Sequence, residues 1–314
     1  MLVVALLAAP VGGQLRLYHH DANRLSMGCV YAIEAYGSNG DALPLIVDAA
    51  LDEVDRIDRL MSHYKADSEL SRVNREAARG PVQIDPELFD LIADAMRYSR
   101  DSDGAFDITV GALMKAWGFF NDEGRVPADE ALADARARVG ARLVVLNARE
   151  KTIAFDRAGV ELDLGGIAKG YAVDRVVQLL QRHNVAAALI SAGGSTIYGL
   201  GAPPGRDAWT VDLEDPADSR KIAMTVRLNN RALSVAGTSG KSFEADGTMY
   251  SHIMDPRTGR PVQGMLSVAV LARTATAGDA LDNAFFVLGR EASRAYLSRL
   301  ADVEAFFFTK EPIP

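Results

Sequence analysis

The chain has 314 residues, a formal net charge of −8 at pH 7 and 24% charged residues, an ordinary composition for a globular protein. Nucleic-acid phosphates are bound through basic surfaces, so the acidic balance argues against nucleic acid as a partner. No run reaches the roughly 20 apolar residues of a membrane-spanning helix. Cys29 is the only cysteine, which excludes an internal disulfide.

Residues 1–14 form a separate apolar segment ahead of a domain at 15–314. The run LVVALLAAPV resembles the core of a secretory signal and is followed by small residues where a peptidase would cut. It predicts export to the periplasmic or extracytoplasmic side of the membrane. No Lys or Arg precedes the run, so a short buried element in a cytoplasmic protein is the alternative.

The first predicted elements are a strand and two helices. Alternation of apolar side chains predicts a strand at 30–36, and helical spacing predicts an amphipathic helix at 42–62. A second helix is predicted to begin at Pro86 and to end near residue 99. Asp85 is its cap, Pro86 takes the first helical position and Glu87 places an acid in the first turn.

The later elements again mix helices and strands. They are a loop at 117–127, a helix at 129–139, a hairpin at 143–146 and 152–155, a strand at 161–164, a helix at 168–183, a strand at 187–191, a β-rich region at 209–270, a helix carrying Asp279, a helix at 290–300 and a strand at 303–308. No repeat or linker divides them. We expect one compact α+β unit, with 202–219 as a candidate excursion.

Two aspartates three residues apart, Asp279 and Asp282, occupy the apolar run 276–289. A helix places both carboxylates, and nearly the side chain of Asn283, toward one side. Buried like charges require protonation of one acid or a cation between them. Because every donor is oxygen, Mg²⁺ is the expected cation. A solvated helix face is the alternative.

The segment 163–171 (DLGGIAKGY) predicts a turn that opens a helix. Its two glycines allow a ligand close to the backbone, and the helix start offers free N–H groups to a phosphate. Lys169 would add positive charge, and Asp163 could accept from a ribose or base. A tight structural turn with Lys169 in solvent is the alternative.

Two further segments carry candidate chemistry. In GAFDITVG, Ala105, Phe106 and Asp107 place an acid beside an aromatic ring, which suits a flat heteroaromatic ligand; an aspartate capping the next turn explains the pattern equally well. His252 precedes a turn, where an imidazole can act as a general base near neutral pH. A structural histidine is the alternative.

Together the motifs YKADSELSRVN, GAFDITVG, DLGGIAKGYAVDR, AGG, SHxxDPRTGRP and DAL resemble those of the FAD:protein FMN transferase (ApbE-like) family, from about residue 27 to 288. The resemblance implies an α+β, T-fold-like arrangement with mixed and antiparallel sheets packed against helices. It also implies transfer of the FMN half of FAD to a Thr or Ser hydroxyl of an acceptor flavoprotein, with release of AMP and assistance from Mg²⁺ or Mn²⁺. Association with the inner membrane would come through the acceptor.

The resemblance also assigns roles to residues. It implies that His252 is the base. The implied FAD contacts are Met27, Tyr64, Ala105, Phe106, Asp107, Asp163, Lys169 and Met254. The implied metal ligands are Asp279, Asp282, Asn283 and the backbone carbonyl of Gly166.

Three residues depart from the family pattern: Asn283 stands for a threonine, Ser195 for an acid and Cys29 for a threonine. These departures put transfer efficiency in doubt more than flavin binding. Two alternatives therefore stay open, a Mg²⁺-dependent pyrophosphatase that converts FAD to FMN and AMP, and a non-catalytic FAD-binding protein.

Overall fold

The computed structural model describes residues 16–121, 123–238 and 240–310. The predicted signal at 1–14 lies outside these residues. Helices and antiparallel sheets alternate along the chain, which confirms the predicted α+β class. No helix in the described ranges is long and apolar enough to cross a membrane.

The helices of the described residues are α1 (Ala42–Met61), α2 (Glu69–Glu76), α3 (Pro86–Asp101), α4 (Gly111–Ala116), α5 (Asp129–Arg136), α6 (Ala168–Arg182) and α7 (Ala275–Leu297). The strands are β1 (Tyr18–Ser26), β2 (Cys29–Gly37), β3 (Val82–Gln83), β4 (Val144–Asn147), β5 (Thr152–Phe155), β6 (Ala187–Ala192), β7 (Thr196–Leu200), β8 (Trp209–Asp215), β9 (Asp218–Leu228), β10 (Arg231–Gly237), β11 (Ser242–Ala245), β12 (Thr248–Ser251), β13 (Met254–Asp255), β14 (Arg260–Pro261), β15 (Met265–Ala272) and β16 (Glu304–Thr309).

The main sheet has the strand order β1-β2-β6-β7-β10-β15-β16, with every neighbouring pair antiparallel. Alternate side chains of each strand point to opposite faces. On one face, Ile33, Ile190 and Val270 join the large core formed with α1, α6 and α7. This face supports the candidate site, because α6 and α7 lie on it side by side.

The hairpin β8–β9 lies outside the main sheet and covers part of its other face. Trp209, Val226 and Leu228 of the hairpin pack with Leu233 and Leu271 of the sheet. The hairpin includes part of the excursion predicted at 202–219, and it buries an apolar face that would otherwise contact water.

Helix boundaries follow local capping. Asp85 accepts a hydrogen bond from the backbone N–H of Glu87 at 2.7 Å, with Pro86 in the first turn, as the sequence predicts. Ser68 caps α2 through the N–H of Ser71 at 3.0 Å. A cap of this kind stabilises a helix by about 1 kcal/mol.

One sequence expectation needs correction. Residues 161–164 do not form a strand, because Glu161 makes only an isolated parallel bridge to Val110 and the chain then enters the glycine turn. The two helices expected before and after residue 289 are confirmed, because α7 consists of two helical segments separated by a kink where Gly289 takes φ 71° and ψ 170°. Strand β1 was not predicted from the sequence, because its mostly polar sequence lacks the alternation of apolar residues that indicates a strand.

Candidate active site

Helices α6 and α7 are in close contact at Gly170. A Cβ added there would lie 2.2 Å from the carbonyl oxygen of Ala275, so only glycine permits this approach. Asp174 of α6 also accepts hydrogen bonds from the backbone N–H groups of Ala275 and Thr276, both at 2.8 Å. These contacts hold the first turns of the two helices together.

The paired aspartates of α7 lie at this contact. Asp279 and Asp282 are 3% and 1% exposed, which excludes a solvated helix face. Oδ2 of Asp279 accepts from the backbone N–H of Gly170 at 2.9 Å. Nδ2 of Asn283 donates to Oδ1 of Asp282 and to the carbonyl oxygen of Asp279, each at 2.9 Å. The three predicted side chains thus meet on one side of the helix.

Burial and mutual repulsion oppose the ionisation of both Asp279 and Asp282 at the same time. Burial raises the pKa of Asp279, against the opposing effects of Lys169 and the Gly170 N–H. Burial raises the pKa of Asp282 well above its usual range, and the charge of Asp279 raises it further. Ser234 and Lys169 act in the opposite direction. A doubly ionised pair therefore needs additional positive charge.

The glycine turn before α6 faces the same side chains. A Cβ on Gly166 would lie 3.4 Å from Nδ2 of Asn283 and 3.3 Å from Cε2 of Phe106. Gly166 and Asn283 are therefore neighbours, and Phe106 packs against the turn. This arrangement brings Gly166 beside Asn283, one of the three candidate metal ligands of α7.

The donor set is entirely oxygen. In the described part of the chain, no group of three or more His, Cys, Asp or Glu residues is arranged to hold a metal ion. The available donors are two carboxylates, the amide oxygen of Asn283 and the carbonyl of Gly166. A mixed set of this kind suits a hard cation that keeps water or phosphate oxygens as its other ligands.

Lys169 extends the site toward the turn after β6. Its Nζ donates to Oγ of Ser195 at 2.8 Å, which disproves the alternative of a solvent-directed lysine. A Cβ on Gly193 would lie 2.9 Å from Cβ of Cys29, so the β1–β2 turn approaches here. Burial raises the pKa of the Cys29 thiol, and Lys169 opposes this effect.

Met27 occupies the β1–β2 turn. Met27 takes φ 50° and Gly28 takes φ 75°, a left-handed pair between Ser26 and Cys29. The hydroxyl of Tyr31 donates to Sδ of Met27 at 3.2 Å and holds its side chain. The predicted FAD contact is thus fixed near the Lys169 end of the site.

Asp163 has a partner that the sequence analysis did not identify. Its Oδ1 lies 3.1 Å from Nδ1 of His63 and accepts from the backbone N–H of Gly165 at 2.8 Å. Burial acts to raise the pKa of Asp163, but His63 and the Gly165 N–H outweigh it and hold the pKa below its usual value. His63 directly precedes Tyr64, the first residue of the motif YKADSELSRVN. This position beside a predicted FAD contact is the sequence feature that could have identified it.

Two aromatic rings pack against the imidazole of His63. The ring centroids of Tyr64 and Phe120 lie 3.9 and 4.6 Å from that of His63. Tyr64 is 59% exposed, and Nζ of Lys241 lies 3.5 Å from its hydroxyl. His63 also lines a cavity of about 270 Å³ with Lys115, Glu161 and other polar residues.

His252 lies next to Lys241. The Nδ1 atom of His252 is 3.2 Å from the carbonyl oxygen of Lys241. Burial lowers the pKa of His252, and the charges of Lys169 and Lys241 act in the same direction, against this hydrogen bond and Asp163. The ring is therefore neutral at pH 7, and Nδ1–H donation leaves Nε2 with a lone pair. Met254, two residues later, is buried in a cluster with Trp117.

Asp107 differs from the other candidates because both oxygens of its carboxylate accept hydrogen bonds from nearby protein groups. Oδ1 accepts from the N–H and hydroxyl of Thr109 at 2.8 and 2.7 Å. Oδ2 accepts from the N–H of Ala141 at 2.9 Å and the hydroxyl of Ser99 at 3.4 Å. Asp107 therefore caps the following turn. Ala105 and Phe106 are buried beside it.

The candidate residues fall into two linked groups. One contains Asp279, Asp282, Asn283, Gly166 and Lys169. The other contains Tyr64, His63, Lys241 and His252. Asp163 contacts His63 and lies three positions before Gly166 in the chain, so it connects the two groups.

The α+β fold and the paired buried carboxylates beside a glycine turn define a protein with an all-oxygen candidate cation site, and comparison with known proteins identifies its family. The chain belongs to the ApbE family, whose model matches residues 27–307. A relative from Treponema pallidum, "FAD:protein FMN transferase", is 35% identical over 94% of this chain and 86% of its own length.

Solved structures agree with this assignment. The ApbE protein of Thermotoga maritima superposes with a TM-score of 0.86 at 29% identity, covering 93% of this chain and 95% of that one. The flavin transferase ApbE of Vibrio cholerae gives a TM-score of 0.84 at 28% identity, covering 94% and 95%. These neighbours support the T-fold-like α+β arrangement.

Proposed function

We propose that this protein transfers the FMN portion of FAD to a threonine or serine hydroxyl of an acceptor flavoprotein and releases AMP. Membership of the ApbE family and relatives that are FAD:protein FMN transferases support this activity. The observation that carries it in the structure is the burial of Asp279 and Asp282 beside the Gly166 turn.

The residues present fit a divalent cation. Asp279, Asp282, the amide oxygen of Asn283 and the carbonyl oxygen of Gly166 would hold Mg²⁺, with Mn²⁺ as the alternative. Burial raises the pKa of both acids, so a cation bound between them would favour their ionised forms. When bound, the cation supplies charge neutralisation on the pyrophosphate and orients the phosphoryl group.

The chain's own residues would bind and orient FAD. Lys169 lies at the start of α6, where its ammonium suits phosphate oxygens. The backbone N–H groups of Ala168, Gly170 and Tyr171 are already bonded within the protein and are not free to bind a phosphate. Met27, Tyr64, Asp163, Met254 and the 105–107 stretch remain the predicted contacts to the rest of FAD. Because the carboxylate of Asp107 is saturated by protein donors, that stretch would contribute its backbone and Phe106.

His252 would act as the general base. Its Nε2 takes the proton of the acceptor hydroxyl as the hydroxyl oxygen forms a bond to the phosphorus of the FMN portion. The bond from that phosphorus to the bridging oxygen breaks, and AMP leaves with the electron pair. The lowered pKa of His252 keeps the imidazole neutral and able to accept the proton at pH 7.

A single experiment tests the activity. The protein is incubated with FAD, Mg²⁺ and a peptide carrying the acceptor threonine, with a Thr-to-Val peptide as control. We expect covalent fluorescence and the mass of FMN on the threonine peptide alone, with one AMP per label. Release of FMN and AMP without labelling would show hydrolysis by water instead, and intact FAD would show binding alone.

We also propose that the protein acts outside the cytoplasm, on an acceptor that associates with the inner membrane. The apolar run at residues 2–11 supports export. Fractionation of cells and amino-terminal sequencing of the mature chain test it. Recovery from the cytoplasm with residues 1–14 intact would disprove export.

A further inference from the structure

Ser234 is a buried hydroxyl on β10 that faces the paired aspartates. It is 1% exposed. A Cβ on Gly278 would lie 3.1 Å from Cβ of Ser234, so the first turn of α7 packs directly on this residue. Asp282 follows Gly278 by four positions and lies on the same side of the helix. The Ser234 hydroxyl also hydrogen-bonds the Asp282 carboxylate, an interaction that acts to lower the pKa of Asp282.

The hydroxyl has two further oxygen neighbours on β7. Thr196, which is fully buried, pairs with Ser234 in register, and their hydroxyl oxygens lie 3.2 Å apart. The carbonyl oxygen of Ser195 is 3.4 Å from Oγ of Ser234. That carbonyl already accepts the backbone N–H of Val235 at 2.7 Å. Ser195 also holds Lys169 through its own hydroxyl.

The single proton of Ser234 has an energetically preferred direction. A carboxylate accepts a hydrogen bond more strongly than a neutral hydroxyl or a carbonyl that is already occupied. Thr196 can then donate its own proton to Oγ of Ser234. The chain Thr196 to Ser234 to Asp282 satisfies both buried hydroxyls, and each bond polarises the next. We call Thr196 and Ser234 the hydroxyl relay.

We propose that Ser234 is a positioning residue of the metal site, with the hydroxyl relay fixing the rotamer of Asp282 for cation binding. The inference rests on the proposed function, because it concerns the same site. Groups that orient ligating side chains typically change metal affinity 10- to 100-fold when removed. Ser234 contacts Asp282 and not the reacting atoms, so its effect must reach catalysis through that carboxylate.

The test measures Mn²⁺ binding to the full chain by titration calorimetry in the absence of FAD. We expect Ser234→Ala to weaken Mn²⁺ binding about tenfold, and Asp282→Ala to abolish it. Ser267→Ala is the matched control. Ser267 is a buried serine on the adjacent strand β15, on the opposite face of the sheet from Val268 and the helices. This control should bind Mn²⁺ like the parent protein.

Thr196→Val provides a second, nearly isosteric variant if Ser234→Ala proves unstable by thermal unfolding. We expect Thr196→Val to lose less Mn²⁺ affinity than Ser234→Ala. The double variant should bind Mn²⁺ no more weakly than Ser234→Ala alone, because both substitutions act on the same hydroxyl relay. Affinity within twofold of the parent in Ser234→Ala and Thr196→Val, with binding lost in Asp282→Ala, would overturn the relay but leave the metal site. Unchanged binding in Asp282→Ala would overturn both.

Discussion

Nδ1 of His63 lies 3.1 Å from Oδ1 of Asp163, and the two side chains are 10% and 9% exposed. This contact joins the loop after α1 to the turn before α6. It places a histidine behind the carboxylate that is predicted to contact FAD. Nε2 of His63 is buried without a hydrogen-bond partner in the described residues, so the ring is held mainly by Asp163 and by tilted contacts with the rings of Tyr64 and Phe120.

Replacing His63 should make the protein more sensitive to acid. The pKa of Asp163 is held below its usual value, so its ionised form stabilises the fold above the unfolded pKa of about 3.9. That stability is lost as pH falls through the folded pKa. We expect His63→Ala to have lower stability at pH 7 and to unfold at a higher pH during acid titration, followed by circular dichroism.

The control for this prediction is His19→Ala, which removes an exposed histidine 3.4 Å from Glu34. An exposed pair contributes little to stability, so its acid transition should match the parent. Equal acid transitions in His63→Ala and His19→Ala would contradict a stabilising His63–Asp163 contact. FAD titration of the same variants should show weaker binding only for His63→Ala.

Replacing His252 should separate chemistry from binding. General base catalysis contributes about 10²- to 10⁴-fold, so His252→Gln should reduce peptide labelling by at least about 100-fold. FAD affinity, measured by fluorescence quenching, should change little. His183→Gln, at the exposed end of α6, serves as control. Labelling by His252→Gln within a few-fold of His183→Gln would remove His252 from the base role.

The pH dependence of labelling gives a second test of His252. A base must be unprotonated, so the rate should rise with pH through the pKa of this imidazole. Burial and neighbouring lysines lower that pKa, which places the midpoint of the rise below the ordinary value of about 6.5. A midpoint above 7 would assign the titration to another group.

The paired acids should make stability depend on the cation. In wild type, thermal unfolding should shift upward with Mg²⁺, by about 2.7 kcal/mol at 100 times the dissociation constant. Asp282→Asn should lose this shift. Because burial raises the folded-state pKa of Asp282, this acid costs stability once the pH exceeds the unfolded pKa of about 3.9. The metal-free variant should therefore be more stable than metal-free wild type at pH 8. A retained Mg²⁺ shift would exclude Asp282 as a ligand.

The close contact of α6 and α7 predicts a strong effect at one glycine. A Cβ on Gly170 would meet the Ala275 carbonyl at 2.2 Å, whereas one on Gly278 would meet Ser234 at 3.1 Å. We expect Gly170→Ala to lower the free energy of unfolding by about 3 kcal/mol or more, since overpacking of cores costs about 1 to 3 kcal/mol. Gly278→Ala should cost less. Urea denaturation ranks the two variants, and equal stabilities would contradict the close contact of α6 and α7 at Gly170.

The sequence predicted the local features of the fold. The helix at 42–62 agrees with α1 to within one residue, and capping at Asp85 was read correctly. The one strand assigned wrongly, at 161–164, alternates acids with leucines as a strand can, but it forms only one isolated bridge to another segment. Strand formation depends on a neighbour that local sequence does not reveal.

For the site, sequence alone determined that Asp279, Asp282 and Asn283 share one side of a helix, because helical periodicity is a local property. It also marked the glycine turn and His252. Only the tertiary structure decided that Asp279 meets Gly170, 109 positions away in the chain. The same holds for the pairing of His63 with Asp163. Contacts between distant residues depend on how the whole chain packs around its core, and no local periodicity encodes that path.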